Sequence, residues 1–365
     1  MKQHQPDYIL IGITAIIVVF GLVMLSSASM VKSQETYGQP YYYLKHQLLY
    51  AVLLAAPLAF ALSKINYKFW KKIAFPIFIA TVLLLIAVFL PGISFKAGGA
   101  TRWLRLGPLQ FQPSELAKLA VIIYLAALYE NRQKKSDKEN FLTLIISLGI
   151  IAGLIVLQPN IGTAGVICLT AAVIYFAAGA PLWQMATLVL LGLGGLFSFI
   201  NIFSHAANRF QIFLHPEFDP QGIGYQINQA LLAIGSGGFF GRGLGQSLQK
   251  FNYLPEVIGD SIFAIIAEEL GFIGVMIVVA LFLAFAFQGF KIAKNAPDNF
   301  SKLLAIGITS WILIQSFVNI AAISGSMPLT GVPFPFISYG GSGLIITLAA
   351  VGILVNISRY TNSKS

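Results

Sequence analysis

The stretch FNYLPEVIGDSIFAIIAEELGFIG, residues 251–274, sets Glu256, Asp260, Glu268 and Glu269 where a polar, proline-broken segment turns apolar. Asp260 suits two tasks. Directly before SIFAIIA it can cap a helix by accepting a hydrogen bond from the first turn, a contribution of about 1 kcal/mol, or it can act as a general base. The positive end of a helix favours the ionised form and weakens such a base, whereas apolar burial and the nearby Glu256 act the other way. Glu268 and Glu269 fall two turns further in, where a carboxylate needs a partner or a water-filled cavity. They read either as members of an interhelical ion pair or as a polar floor under Asp260.

Other groups offer complementary chemistry. Arg102 and Arg105 flank Trp103, a basic aromatic cluster suited to phosphate, which a guanidinium binds in bidentate fashion; an interfacial belt explains the same residues. Glu115 and Lys118 are spaced to share a helix face as a salt bridge, and Lys118 is a cation within an apolar run, which marks a functional candidate. GSGGFFGRGLGQS, residues 235–247, lacks the Gly-Lys-Ser/Thr of a nucleotide loop, so its glycines serve tight turns. His205, His215 and Glu217 match no zinc spacing and read as solvated loop residues. Cys168, the single cysteine, permits no internal disulfide and reads as a small core residue.

The elements that must position these groups are membrane helices. The 365 residues are 57% hydrophobic and 10% charged, with a mean hydropathy of +0.80, against about 25% charged in a soluble domain. Apolar runs near 8–28, 46–63, 72–91, 113–129, 141–157, 161–179, 183–203, 261–288, 303–323 and 341–357 predict an all-α, polytopic membrane protein of about ten spans. The runs are continuous rather than alternating, which excludes a transmembrane barrel. The first is read as an uncleaved span, since no short signal core precedes it.

Orientation follows from Lys and Arg. Lys64, Lys68, Lys71, Lys72, Arg132, Lys134, Lys135, Lys138, Lys291, Lys294 and Lys302 fall on one side together with Lys2, Arg359 and Lys364, so both termini are expected in the cytoplasm. The formal charge of +10 is then topological; it points to anionic lipid and gives no case for nucleic acid. One domain, 1–365, is expected, with extracytoplasmic loops at about 92–112, 204–260 and 324–340, the largest between the seventh and eighth helices. These loops are aromatic-rich and low in net charge, unlike disordered segments, and long loops in a compact fold carry function.

In chain order, GATRWLRLGPLQFQPSELAKL, QPNIGTAG, FDPQGIGYQINQALLAIGSGGFFGRGLGQSLQKFNYLPE, FAIIAEELGFIG and GVPFPFISYGGSGLI resemble the SEDS family, the membrane glycosyltransferases of cell shape, division and sporulation typified by FtsW and RodA. The resemblance covers almost the whole chain. It implies a peptidoglycan polymerase acting on lipid II outside the cytoplasmic (inner) membrane, with Asp260 as catalytic base and Arg102, Glu115, Lys118, Glu256, Glu268 and Glu269 as substrate-binding positions. It also implies no covalent cofactor, a divalent cation such as magnesium or manganese, a polyprenyl-pyrophosphate-linked glycan, a class B penicillin-binding protein transpeptidase, other division proteins and membrane lipids. GRGLGQSLQKFNYLPE is closer to the division branch than to the elongation branch, with a RodA-like elongation polymerase as the alternative. Where the family commonly has His, Thr and Phe around the Asp, this chain has Ile258, Gly259 and Ser261, so hydrogen bonding there is expected to differ. Two rivals are a lipid II flippase and a secondary transporter; the second should show inverted repeats, which are not visible.

Overall fold

A computed structural model describes residues 4–97, 100–106, 109–132, 136–202, 204–219 and 221–361. Lys2, Lys134, Lys135 and Lys364, used above for orientation, lie outside the described residues, as does the side chain of His205.

Helices stand where the apolar runs predict them: Tyr8–Tyr37, Tyr42–Lys64, Ala74–Ala87, Pro113–Tyr129, Asp137–Leu157, Ile161–Ala177, Leu182–Ile202, Ile262–Lys294, Asn299–Ile323 and Gly341–Ser358. Among the described residues, six are long and apolar enough to cross a membrane; Ala74–Ala87, Ile161–Ala177 and Leu182–Ser198 are shorter apolar helices. Local signals set their ends. Asp7 accepts a hydrogen bond from Leu10 N–H at 2.9 Å to open the first helix, and Gly38, at φ 67°, closes it in the left-handed conformation that glycine adopts without a Cβ penalty. Capping boxes open the helices at Asp137 and Asn299, and Pro113 takes the first position of its own.

The 113–129 helix sits at the centre, packed against the 74–87, 161–177, 299–323 and 341–358 helices, and is buried on nearly all sides. One end of the bundle gathers both termini and the lysine-rich connections: His4 N–H donates to Arg359 C=O at 2.8 Å, Tyr67 Oη to Asp298 at 2.7 Å, and Lys71 pairs with Glu130. The long loops share the opposite end, here the loop end.

The loop end departs from an all-α reading. Ser94–Ala97, Ala100–Leu106 and Leu109–Phe111 form a three-stranded antiparallel sheet in the order of the chain. The run ATRWLRL is rich in β-formers and too short for a helix to bury one face, so pairing is the better way to satisfy its backbone. The 204–260 segment is likewise not a plain loop, since it contains helices Ser204–Leu214 and Ile223–Gly237.

The 262–294 helix is broken at Gly271, with φ 66° and ψ −167°. There the 237–243 glycine segment docks: Arg242 and Gly243 N–H donate to the carbonyls of Glu268 and Glu269 at 2.9 and 3.0 Å, while Phe272 N–H donates to Gly238 C=O at 2.8 Å. A Cβ on Gly271 would lie 2.2 Å from Gly241 N, and one on Gly241 2.2 Å from Glu269 C=O. The glycines are therefore needed for backbone contact, as the sequence led us to expect of tight turns.

Candidate active site

The site is built where the loop end closes over the start of the 262–294 helix. The preceding turn is held from three directions. Tyr339 N–H donates to Ile258 C=O at 2.8 Å, Ser338 Oγ to Gly259 C=O at 2.7 Å, and Gln226 Nε2 to Ser261 Oγ at 3.0 Å. Thus the three positions that depart from the family's common residues are fixed through carbonyls and one hydroxyl, which is how this chain holds the turn without the usual side chains. Asn319 adds a fourth tie, its Nδ2 donating to the carbonyls of both Asp260 and Val332 at 2.8 Å.

Asp260 does not cap the helix. The N-cap position is Ser261, with φ −84° and ψ 2°, and no side-chain cap bond forms. The backbone at Asp260 and Ser261 still favours the charged form of its carboxylate, yet Oδ1 is buried without a hydrogen-bond partner among the described residues, and Oδ2 lies toward Gly331, where an added Cβ would be 3.8 Å away. Burial, helped by the negative charge of Glu256, pushes the carboxyl up to about 6, with Arg209 pulling back. The apolar-burial arm of the competition at Asp260 therefore wins. Glu256 itself is exposed and holds a left-handed backbone at φ 52°, while its carbonyl accepts from Gly259 and Ser261 N–H at 2.9 and 3.2 Å.

Arg102 and Arg105 separate. Arg102 falls at an irregularity in the strand pairing, which passes from Trp103 to Thr101 and leaves Arg102 unpaired, so its side chain is re-aimed relative to that of Arg105. Arg102 turns inward and donates through Nε to Gln158 C=O at 2.9 Å and through Nη2 to Pro159 C=O, while Arg105 is exposed. The two arginines expected to act together around Trp103 therefore have different surroundings. Arg102 instead meets Arg209 of the 204–214 helix: burial lowers the Arg102 pKa, and the like charge of Arg209 adds to that effect. Arg209 acts on Asp260 as well and donates to Leu329 C=O at 3.1 Å.

Lys118 and Glu115 form the predicted pair at 2.8 Å, nearly sealed from solvent. The ammonium also donates to Gln315 Oε1 at 2.8 Å and lies 5.1 Å from the Trp311 ring centroid. Gln315 in turn donates to Pro333 C=O at 2.9 Å. Trp311, Gln315 and Asn319 follow one another at four-residue spacing on one helix face, so that face joins the Lys118 pair to the loop covering Asp260.

This arrangement coincides with a family match. The FtsW/RodA/SpoVE family, described as cell cycle proteins, matches residues 7–363. The chain belongs to that family. It is 40% identical over 354 residues to the probable peptidoglycan glycosyltransferase FtsW of Geobacter sp. strain M18, covering 96% of each chain. It is 39% identical over 365 residues to stage V sporulation protein E of Bacillus subtilis, covering 99% of each. Among solved structures it is similar to a chain of a peptidoglycan synthase complex that coordinates polymerization and crosslinking, at a TM-score of 0.82 and 30% identity over 98% of this chain and 99% of that one. It is also similar to RodA of Thermus thermophilus, at a TM-score of 0.72 and 31% identity over 98% of each. Like those relatives, this family member is a multi-pass membrane protein.

In this FtsW/RodA/SpoVE protein, Glu268 and Glu269 are engaged away from Asp260, about 12 Å further along the helix axis by rise alone. Glu268 accepts from Ser247 Oγ and, at 3.0 Å, from Leu248 N–H. Glu269 pairs with fully buried Lys250 at 3.1 Å and accepts from Ser27 Oγ at 2.7 Å. The ion pair is real, but its cation comes from the docked loop rather than from a second spanning helix. His215 and Glu217 form an exposed contact at 3.1 Å, as solvated residues do. Among the described residues no group of three or more His, Cys, Asp or Glu could hold a metal. Sequence reasoning missed Arg209, Gln315 and Asn319 as site residues. The four-residue spacing of polar Gln315 and Asn319 inside an apolar run was the available signal for two of them; Arg209 gave none.

Proposed function

We propose that this protein is a peptidoglycan glycosyltransferase that polymerises lipid II at the outer face of the cytoplasmic membrane during division. The observation that carries the reading is Asp260: a carboxylate with an unpartnered buried oxygen and a pKa pushed up to about 6, which suits a general base. The lysine-rich end with both termini is the cytoplasmic one, and the loop end is outside.

A lipid-linked disaccharide peptide serves as acceptor and the growing glycan, on its polyprenyl diphosphate, as donor. Asp260 takes the proton from the acceptor 4-hydroxyl as that oxygen bonds to the donor's anomeric carbon. The bond from that carbon to the diphosphate breaks, with inversion. Preorganised cations must meet the leaving charge. Arg102 and Arg209, two guanidiniums whose charges act on each other and whose partners are neutral carbonyls, take this role rather than Lys118, whose charge is already neutralised by Glu115 in a sealed pair. Magnesium or manganese would arrive with the diphosphate, since such ions are commonly held by few carboxylates plus phosphate oxygens and the described residues form no cage.

A class B penicillin-binding protein is the partner that crosslinks the product. Stage V sporulation protein E supports a second reading, the same reaction in sporulation. The test is polymerisation of lipid II by the purified protein, with and without the transpeptidase, resolved on a glycan-strand gel. Wild type is expected to make polymer and Asp260→Asn none; full activity in Asp260→Asn would remove the base, and transbilayer lipid movement without polymer would favour a flippase.

A further inference from the structure

At the loop end, five tyrosines and a histidine form a continuous aromatic surface, with Tyr41 beside them in the chain, that neither the proton transfer nor the diphosphate uses. Tyr37 and Tyr42 stack with centroids 3.6 Å apart, and Tyr43 meets both edge-on at 5.7 Å. Tyr43 continues to Tyr339 at 5.1 Å. His46 fills the gap, with Nδ1 3.0 Å from the Tyr339 hydroxyl and its ring 4.6 Å from that of Tyr50. Tyr37, Tyr41 and Tyr50 remain 46, 47 and 47% exposed.

Two ties join this surface to the loop that carries Asp260. Tyr339 donates its backbone N–H to Ile258 C=O, two residues before the carboxylate. Glu35, two residues before Tyr37, accepts from Asn252 Nδ2 at 2.9 and 2.8 Å, and Asn252 holds a left-handed backbone at φ 63°. The aromatic surface is thus a rim of the same site. Next to Tyr41 opens a mostly apolar groove of about 470 Å³ whose wall runs from Val19, Val23 and Met30 to Leu44 and Leu48.

Tyrosines of an interfacial belt anchor helix ends at headgroup level around a bundle. Here the rings contact one another on a single side and are bonded into the catalytic loop. Such a surface suits a flat, uncharged ring with axial C–H groups, because the negative face of an aromatic ring attracts C–H edges and its hydroxyl reaches a neighbouring oxygen. We propose that the Tyr37–Tyr42–Tyr43–Tyr339 surface is a sugar-binding subsite that holds hexosamine units of the glycan beside Asp260. This rests on the glycosyltransferase reading above.

The test uses the full chain in nanodiscs and chitohexaose, a lipid-free β-1,4-linked N-acetylglucosamine chain, with binding read by saturation-transfer NMR. Wild type should bind, and Tyr37→Ala and Tyr42→Ala should each weaken binding about two- to tenfold, the scale of one lost ring contact. Tyr37→Phe should retain it, which separates stacking from misfolding. With lipid II, Tyr37→Ala should yield shorter strands than wild type. Wild type that fails to bind chitohexaose, or Tyr37→Ala that binds it equally well, overturns the subsite. So does a Tyr37→Ala protein whose only change is its melting in nanodiscs of anionic against neutral lipid, since the rings would then be a belt. Chitohexaose binding lost on Tyr37→Ala in a protein that makes no polymer would keep the subsite and overturn the polymerase reading instead.

Discussion

Asp260 and the pair Glu268 and Glu269 lie within ten residues of one another on the same stretch, yet the fold treats them in opposite ways. Glu269 is fully enclosed and matched by the Lys250 ammonium and Ser27, while Glu268 takes hydroxyl and backbone donors from Ser247 and Leu248. Asp260 is only partly buried, but its Oδ1 is sealed from solvent with no hydrogen-bond partner among the described residues, and burial together with the charge of Glu256 raises its pKa. Buried polar groups are normally satisfied, so an unsatisfied one marks stored reactivity more than stability. The first cluster builds the loop end; the second keeps a base in readiness.

That contrast can be broken by substitution. Asp260→Asn should lower polymerisation by about 10²- to 10⁴-fold, the usual worth of a general base, without lowering the melting temperature. The sign follows from linkage. A carboxyl raised from 3.8 to about 6 favours folding below its unfolded value, and this contribution is lost as pH rises through 6. At neutral pH the ionised group therefore costs on the order of 1–3 kcal/mol, and Asn removes that cost. A marked drop in melting temperature would show that Asp260 is structural after all.

Lys250→Met should do the reverse. It leaves Glu269 buried and unpaired and should destabilise by about 3–5 kcal/mol, seen in thermal unfolding of the detergent-solubilised protein, with catalysis per folded molecule nearly retained. Equal loss of activity in the folded fraction would merge the two clusters into one site.

Smaller effects sharpen the picture further. Arg209→Ala should raise KM for lipid II about tenfold, the worth of one charge-assisted contact, and Arg105→Ala, at an exposed position of the strand, should change it little. The kcat/KM of wild type should fall about tenfold per unit as pH drops below 6, because Asp260 must be ionised to accept a proton. A flat profile between pH 5 and 7 would remove Asp260 from the proton transfer.

The sequence alone determined the helical membrane architecture, because continuous apolar length is a local property that a bilayer reads directly. It also determined the family, through long motifs in order, and the Glu115 and Lys118 pair, since that spacing shares a helix face wherever the helix goes. The small sheet at Ser94–Phe111 was less legible, because strand pairing depends on partners beyond the local window. What only the tertiary structure decided was which carboxylate is free. Asp260 as cap or base, Glu268 and Glu269 as floor or clamp, and Arg209 as a member of the site all turn on charges brought together from distant segments. Burial and Coulomb energy depend on distance in space, which spacing along the chain does not encode.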